Sequence, residues 1–218
     1  GPDGNSEERE YLEFTDGRRF FFPTRIATPL SHSFTKGDPA LLMEADATLD
    51  AIRDLTLPRY RLADYDNPKA LHTEADSKSL DDIRSGRGNV SGFVRIGLFK
   101  RMSSSGHAFI LSLQRQRARN SIFIYAIDHG LPLPLGSHTD RQMAVTDEDV
   151  ENGGEVGAVA TQYDALVKSL PPKTKWVNAT IFKPSLRKDL AIDNETLSAL
   201  LDQFGNWSSN RDSKVSAL

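Results

Sequence analysis

The sequence predicts a mainly α-helical fold with one small β-hairpin near its N-terminus. Three observations carry this. Apolar residues recur at helical spacing over most of the chain after Asp38. Two short aromatic runs flank an Asp-Gly pair close to the start. The chain has no internal repeats and no sustained heptads, which excludes solenoids and coiled coils.

In chain order, Tyr11-Leu12-Glu13-Phe14 and Arg18-Arg19-Phe20-Phe21-Phe22 read as two strands around Asp16-Gly17, with Pro23 closing them. Residues 1–36 thus form an N-terminal segment carrying the hairpin, and residues 37–218 a helical domain. Asp38-Pro39 has the form of a cap followed by proline at the first helical position. Leu41, Leu42, Ala45, Leu49, Ile52 and Leu55 continue at helical spacing, so one amphipathic helix is expected from Asp38 to about Leu55. The stretch from Asp66 to Asn89 is polar and aperiodic, and reads as a mobile loop.

From Val90 to His129 the helical period returns. Phe93, Ile96, Phe99 or Lys100, and Met102 mark one stripe; Phe109, Ile110, Leu113, Ala118, Ile122, Tyr125 and Ala126 continue it beyond Ser103-Ser104-Ser105-Gly106. A Ser/Gly cluster is a cause of kinks, so a long kinked helix pair is expected, as two helices or as one kinked helix, ending before Gly130. Leu131-Pro132-Leu133-Pro134-Leu135 lacks the donors to continue it. A second polar loop is expected over residues 137–157. Helices are then expected from about Val159 to Leu170, Val177 to Phe182 and Asn194 to Phe204, with a last turn from Ser208. Trp176 and Trp207, at helix boundaries, read as core anchors.

Composition narrows the function. The 218 residues include no Cys, which excludes disulfides and thiolate metal sites, and no apolar run approaches the roughly 20 residues a bilayer span needs. Gly1-Pro2 reads as the scar of a protease cut, so the chain is expected to be a piece of a longer protein, with the cytoplasm as its compartment. The net charge of −3 hides an uneven distribution: between Ile83 and Ile127 there is no acid, against the bases Arg84, Arg87, Arg95, Lys100, Arg101, Arg115, Arg117 and Arg119. Such a block attracts a polyanion where several of its members share a face. The alternative is neutralisation by acids of the flanking regions.

Catalytic motifs are scarce. A phosphate-cradling loop ending in Gly-Lys-Ser/Thr is missing from the sequence. The acidic run Thr146-Asp147-Glu148-Asp149 sits in a polar stretch and reads as solvated surface. His129 and His138 with Asp128 and Asp140 match no metal-ligand spacing. His107 beside Ser103, Ser104 and Ser105 lacks the strained elbow and oxyanion hole of a nucleophilic site.

Several stretches taken in order look familiar: Leu55-Thr56-Leu57-Pro58-Arg59-Tyr60, Ile96-Gly97-Leu98-Phe99-Lys100-Arg101 running into Ser104-Ser105-Gly106-His107-Ala108-Phe109, Leu131-Pro132-Leu133-Pro134-Leu135-Gly136, and Asp212-Ser213-Lys214-Val215. Together they resemble the region inserted between the two RecA-like motor lobes of bacterial Swi/Snf-type superfamily 2 helicases, relatives of phage-defence translocases. The resemblance spans about Leu41 to Leu218. It implies a non-catalytic accessory domain without cofactors of its own, the ATP and magnesium being held by the motor lobes of a parent protein. Its implied partners are those lobes, the DNA backbone and protein subunits of a defence complex; no membrane is implied. Where that family usually carries Leu-Glu, this chain has Met102-Ser103, so Lys100 and Arg101 are expected to lack a local acid.

The expected nucleic-acid contacts are Arg95, Lys100, Arg101, Arg115, Arg117 and Arg119. Arg115 and Arg119 are four apart and share a helix face, whereas Arg117 points elsewhere. The competing expectation is a protein-interaction module docking through the acidic stretch from Asp140 to Glu155 and the helical faces, with the basic helices buried against neighbouring acids.

Overall fold

The computed structural model describes residues 11–21, 33–85, 90–135, 159–172 and 174–216. Strand β1 (Tyr11–Glu13) pairs antiparallel with β2 (Arg19–Phe21), Tyr11 opposite Phe21. Gly17 at φ 80° makes the turn, and Asp16 Oδ1 accepts the Arg18 amide at 3.1 Å. The predicted hairpin is therefore present.

The single helix expected from Asp38 is broken in two: α1 (Ala40–Met43) and α2 (Asp46–Asp54). Ala45 is extended at ψ 144°. The break reregisters the apolar face, because Met43 must enter the core while Leu41 and Leu42 stay exposed. Thr48, fully buried, fastens the corner by donating to the Leu42 carbonyl at 2.7 Å.

The loop expected over Asp66–Asn89 contains a helix instead, α3 (Glu74–Ser85). Thr73 and Asp76 cap each other reciprocally: Asp76 N donates to Thr73 Oγ1 at 3.1 Å, and Thr73 N and Oγ1 donate to Asp76 Oδ2 at 3.1 and 2.7 Å. The buried face is Asp76, Ser79 and Leu80. Two of these three are polar, so hydrophobic periodicity could not reveal the helix.

The expected kinked pair is α4 (Val90–Ser104) and α5 (Gly106–Asp128), separated by Ser105 alone. Ser105 is extended and its hydroxyl accepts the Ala108 amide at 3.3 Å, which starts α5. The apolar stripe assigned to α4 is only partly internal. Leu98 and Met102 are buried, but Phe93 is 71% and Ile96 51% exposed.

The Val177–Phe182 segment is no helix. Lys175–Asn178 form β4, which pairs antiparallel with β3 (Pro132–Leu135), and a 3-10 turn over Ala179–Ile181 follows. Pro132 and Pro134 lie two apart, so both missing donors fall on one side of the strand, a side that a two-stranded ribbon leaves unpaired. Helix α6 (Val159–Ser169) matches its prediction. Helix α7 (Ser185–Phe204) starts well before the expected Asn194, just after Pro184, and buries Leu186, Leu190, Asp193, Leu197, Leu200 and Phe204 along one face. A 3-10 turn (Ser209–Arg211) and α8 (Ser213–Ser216) close the described chain. The expected loop at 137–157 lies outside the described residues.

Helices α5 and α7 pack along each other as the spine. One apolar cluster, including Ile122, Phe123, Leu133, Val177 and Leu186, covers the end bearing β3 and β4; the other, including Ile52, Leu98, Phe109, Leu197 and Phe204, covers the end bearing α2 and α4. Trp176 packs half-buried against the first and Trp207 against the second, as expected of anchors.

Candidate functional site

Helices α4 and α5 enclose a groove of about 340 Å³. From α4 come Val90, Phe93, Val94, Gly97, Leu98 and Arg101, steps of three and four residues that place them on one helix face. From α5 come Ser112, Arg115, Gln116 and Arg119, again one face, and Tyr60 completes the lining. None of these side chains is acidic. The groove is two-sided in character: α4 offers mainly apolar surface below Arg101, and α5 offers guanidinium and amide groups.

Gly97 keeps the groove open. A Cβ built there would meet only Arg101 Nη1, at 3.9 Å.

Tyr60 is placed by a strained turn. Leu57, fully buried, has φ 52°, a left-handed conformation that a non-glycine residue adopts at a cost. Asp193 of α7 holds it there, accepting the Thr56 and Leu57 amides at 2.8 Å each. Burial pushes the Asp193 carboxyl up from its ordinary value, against those two hydrogen bonds. The 3-10 turn Pro58–Tyr60 follows directly. It sets Arg59 behind the groove at 8% exposure, where Nε donates to Asn120 Oδ1 at 3.2 Å and Nη2 to Gln116 Oε1 at 3.1 Å. The guanidinium also lies 4.8 Å from the Tyr60 ring centre and 5.6 Å from that of Phe123, positions of cation–π attraction. Tyr60 in turn donates its hydroxyl to Gln116 Oε1 at 3.2 Å. The Gln116 carboxamide is thereby oriented: its oxygen is engaged with Arg59 and Tyr60, and its buried Nε2 finds no acceptor among the described residues.

The six expected contact residues do not act as one stripe. Arg101, Arg115 and Arg119 converge on the groove. Arg95 turns to α2, with Nη2 donating to the Leu55 carbonyl at 2.5 Å, and Arg117 turns to α7, reaching Ser198 Oγ at 3.4 Å. Lys100 is exposed but does not line the groove. The divergence of Arg117 from Arg115 and Arg119 follows their spacing; the convergence of Arg101 with them comes from the fold at Ser105. Sequence reasoning missed Tyr60, Phe93, Gly97 and Gln116 as lining. Phe93 looked like core because its spacing is that of a buried stripe.

The other chemical candidates have structural places. His107 stacks on Trp207 at 4.6 Å between ring centres, and Trp207 Nε1 donates to Asp212 Oδ2 at 3.1 Å. Ser103 Oγ donates back to the Phe99 and Lys100 carbonyls. Asp128 is bound bidentately by Arg187 at 2.8 and 3.0 Å, whose guanidinium holds its carboxyl below the usual range. No group of His, Asp and Glu suited to a metal ion occurs among the described residues. His138, Asp140 and the run Thr146–Asp149 lie outside them. No described helix is long and apolar enough to cross a membrane.

No protein-family model, curated protein or solved structure matches this chain.

Proposed function

We propose that this chain is a non-catalytic accessory domain of a helicase-like, ATP-dependent DNA translocase of the cytoplasm, set between motor lobes that hold the ATP and magnesium, and that it meets the nucleic-acid backbone through α4 and α5. The observation that supports this reading is the convergence of Arg101, Arg115 and Arg119 on one open groove with no carboxylate among the described residues that line it. A concavity lined by several guanidinium groups attracts phosphate irrespective of base sequence.

The test is binding of a labelled duplex at increasing salt. Three phosphate contacts give a slope of about −2.7 in log affinity against log salt, so a rise from 50 to 200 mM weakens binding roughly 40-fold. With Arg115→Ala and Arg119→Ala together the slope falls to about −0.9, and the same rise costs about 3- to 4-fold. Absence of binding, or binding indifferent to salt, overturns the reading.

A second reading, a module docking a partner subunit of a defence complex, draws on the hairpin. Leu12, Phe14, Phe20 and Phe21 are each 51–55% exposed there, and apolar side chains clustered in water mark interaction surfaces. Salt-independent capture of a protein partner is its expected signature.

A further inference from the structure

We infer that the groove between α4 and α5 seats one unpaired nucleotide of a single strand, its base against Phe93 and the apolar wall and its phosphate toward the guanidinium wall. This rests on the phosphate-binding reading and narrows it to a substrate class. Four features point the same way.

First, the groove is divided by chemistry as a nucleotide is. Val90, Val94 and Leu98 give a wall suited to a base, and Arg101, Arg115 and Arg119 one suited to phosphate. Second, Phe93 leaves 71% of its surface in water at this site. An aromatic ring exposed beside cations is the pattern of a stacking platform for bases, and it serves every base because every base has a π face. In a duplex those faces are covered by neighbouring base pairs, so only an unpaired base can use the ring. Third, about 340 Å³ lies at the small end of the range for organic-ligand sites. That is room for one nucleotide unit, not for a paired helix. Fourth, Gln116 is 4% exposed, lines the groove, and keeps an amide nitrogen without an acceptor among the described residues. Because its oxygen is already engaged with Arg59 and Tyr60, the amide can only donate to what enters. A base carbonyl or a phosphate oxygen supplies that acceptor.

The experiment compares three fluorescently labelled probes by anisotropy at fixed salt: an oligothymidylate, the same sugar-phosphate chain without bases, and a duplex of equal length. Two variants leave every cation in place. Phe93→Ala removes the platform at an exposed position, and Gly97→Leu fills the groove from its open floor. Thermal melts establish that each is folded. The expected result is tightest binding of the oligothymidylate, weakened roughly 5- to 150-fold by Phe93→Ala and comparably by Gly97→Leu, with the base-free chain and the duplex unaffected by Phe93→Ala. Equal binding of all three probes, unchanged by Phe93→Ala, overturns the inference while leaving the phosphate reading intact. Failure of every probe to bind overturns both.

Discussion

Replacing Asp76 with Ala detaches α3 from the body of the protein. Its carboxylate is 2% exposed and fully occupied: Oδ1 accepts the Asn178 amide at 3.0 Å, and Oδ2 accepts Asn178 Nδ2 at 2.9 Å and both donors of Thr73. One side chain therefore caps α3 and ties it to β4. Burial alone would raise its pKa, but these hydrogen bonds outweigh burial and bring it down from 3.8 to about 2. Nearly two pKa units correspond to about 2.5 kcal/mol of preference for the folded state. The direct count agrees, since hydrogen bonds to a charged acceptor contribute about 1.5–3 kcal/mol each and overlap when they share it. Thr73 and Asn178 are otherwise exposed and regain water. A loss of about 2–3 kcal/mol is expected, a fall in melting temperature of roughly 5–10 °C for a chain of this size. The sign of the pH dependence follows from a folded pKa below the unfolded one: the stabilisation is complete above about pH 4 and disappears as pH falls toward 2. Calorimetric melts of parent and Asp76→Ala should differ most near neutral pH and converge below pH 4. A variant that melts within a degree of the parent at pH 7, or a gap that stays constant from pH 7 to pH 3, would refute the assignment.

Other expectations follow from the same kind of accounting. Asp193→Asn keeps one acceptor for the Thr56 amide and turns a donor toward Leu57, whose left-handed conformation then loses its support; about 2 kcal/mol of stability is lost in urea unfolding, with faster hydrogen exchange at Leu57. His72 has its pKa raised, first by its hydrogen bond to Asp66 at 2.8 Å, so its contribution is complete below about pH 6.5 and lost as pH rises through the folded value. Melts of His72→Ala should lack that component of the parent's decline, and an NMR titration should place the His72 midpoint above the ordinary one. Gly106→Ala adds a Cβ at 3.4–3.5 Å from the flexible end of Met43 and 3.8 Å from Trp207, ordinary contacts at the first position of α5, and should raise stability by about 0.5 kcal/mol in the same unfolding assay. A drop would show that Met43 cannot yield.

Local chemistry made the hairpin, the α4–α5 pair and α6 legible. Asp16-Gly17 supplies its own turn, Ser105 its own cap, and the faces of α5 and α6 repeat at helical spacing. The site was legible in half: the acid-free block and the shared face of Arg115 and Arg119 are sequence facts. Helix α3 was hidden because its buried face is polar, although the Thr73–Asp76 spacing was a capping signal that could have been read. Phe93 misled because spacing reports which residues share a face and not whether that face is covered.

By itself the sequence determined the helical class, an interruption within Ser103–Gly106 and the accumulation of positive charge, because each depends on residues a few positions apart. Only the tertiary structure decided that Lys175–Asn178 would be a strand, that Asp193 would hold Leu57 in place from more than a hundred residues away, and that Arg101 would share a groove with Arg115 and Arg119 while Arg95 and Arg117 turned aside. These outcomes depend on partners distant in the chain, whose donors, acceptors and apolar faces exist for one another only once the chain has folded.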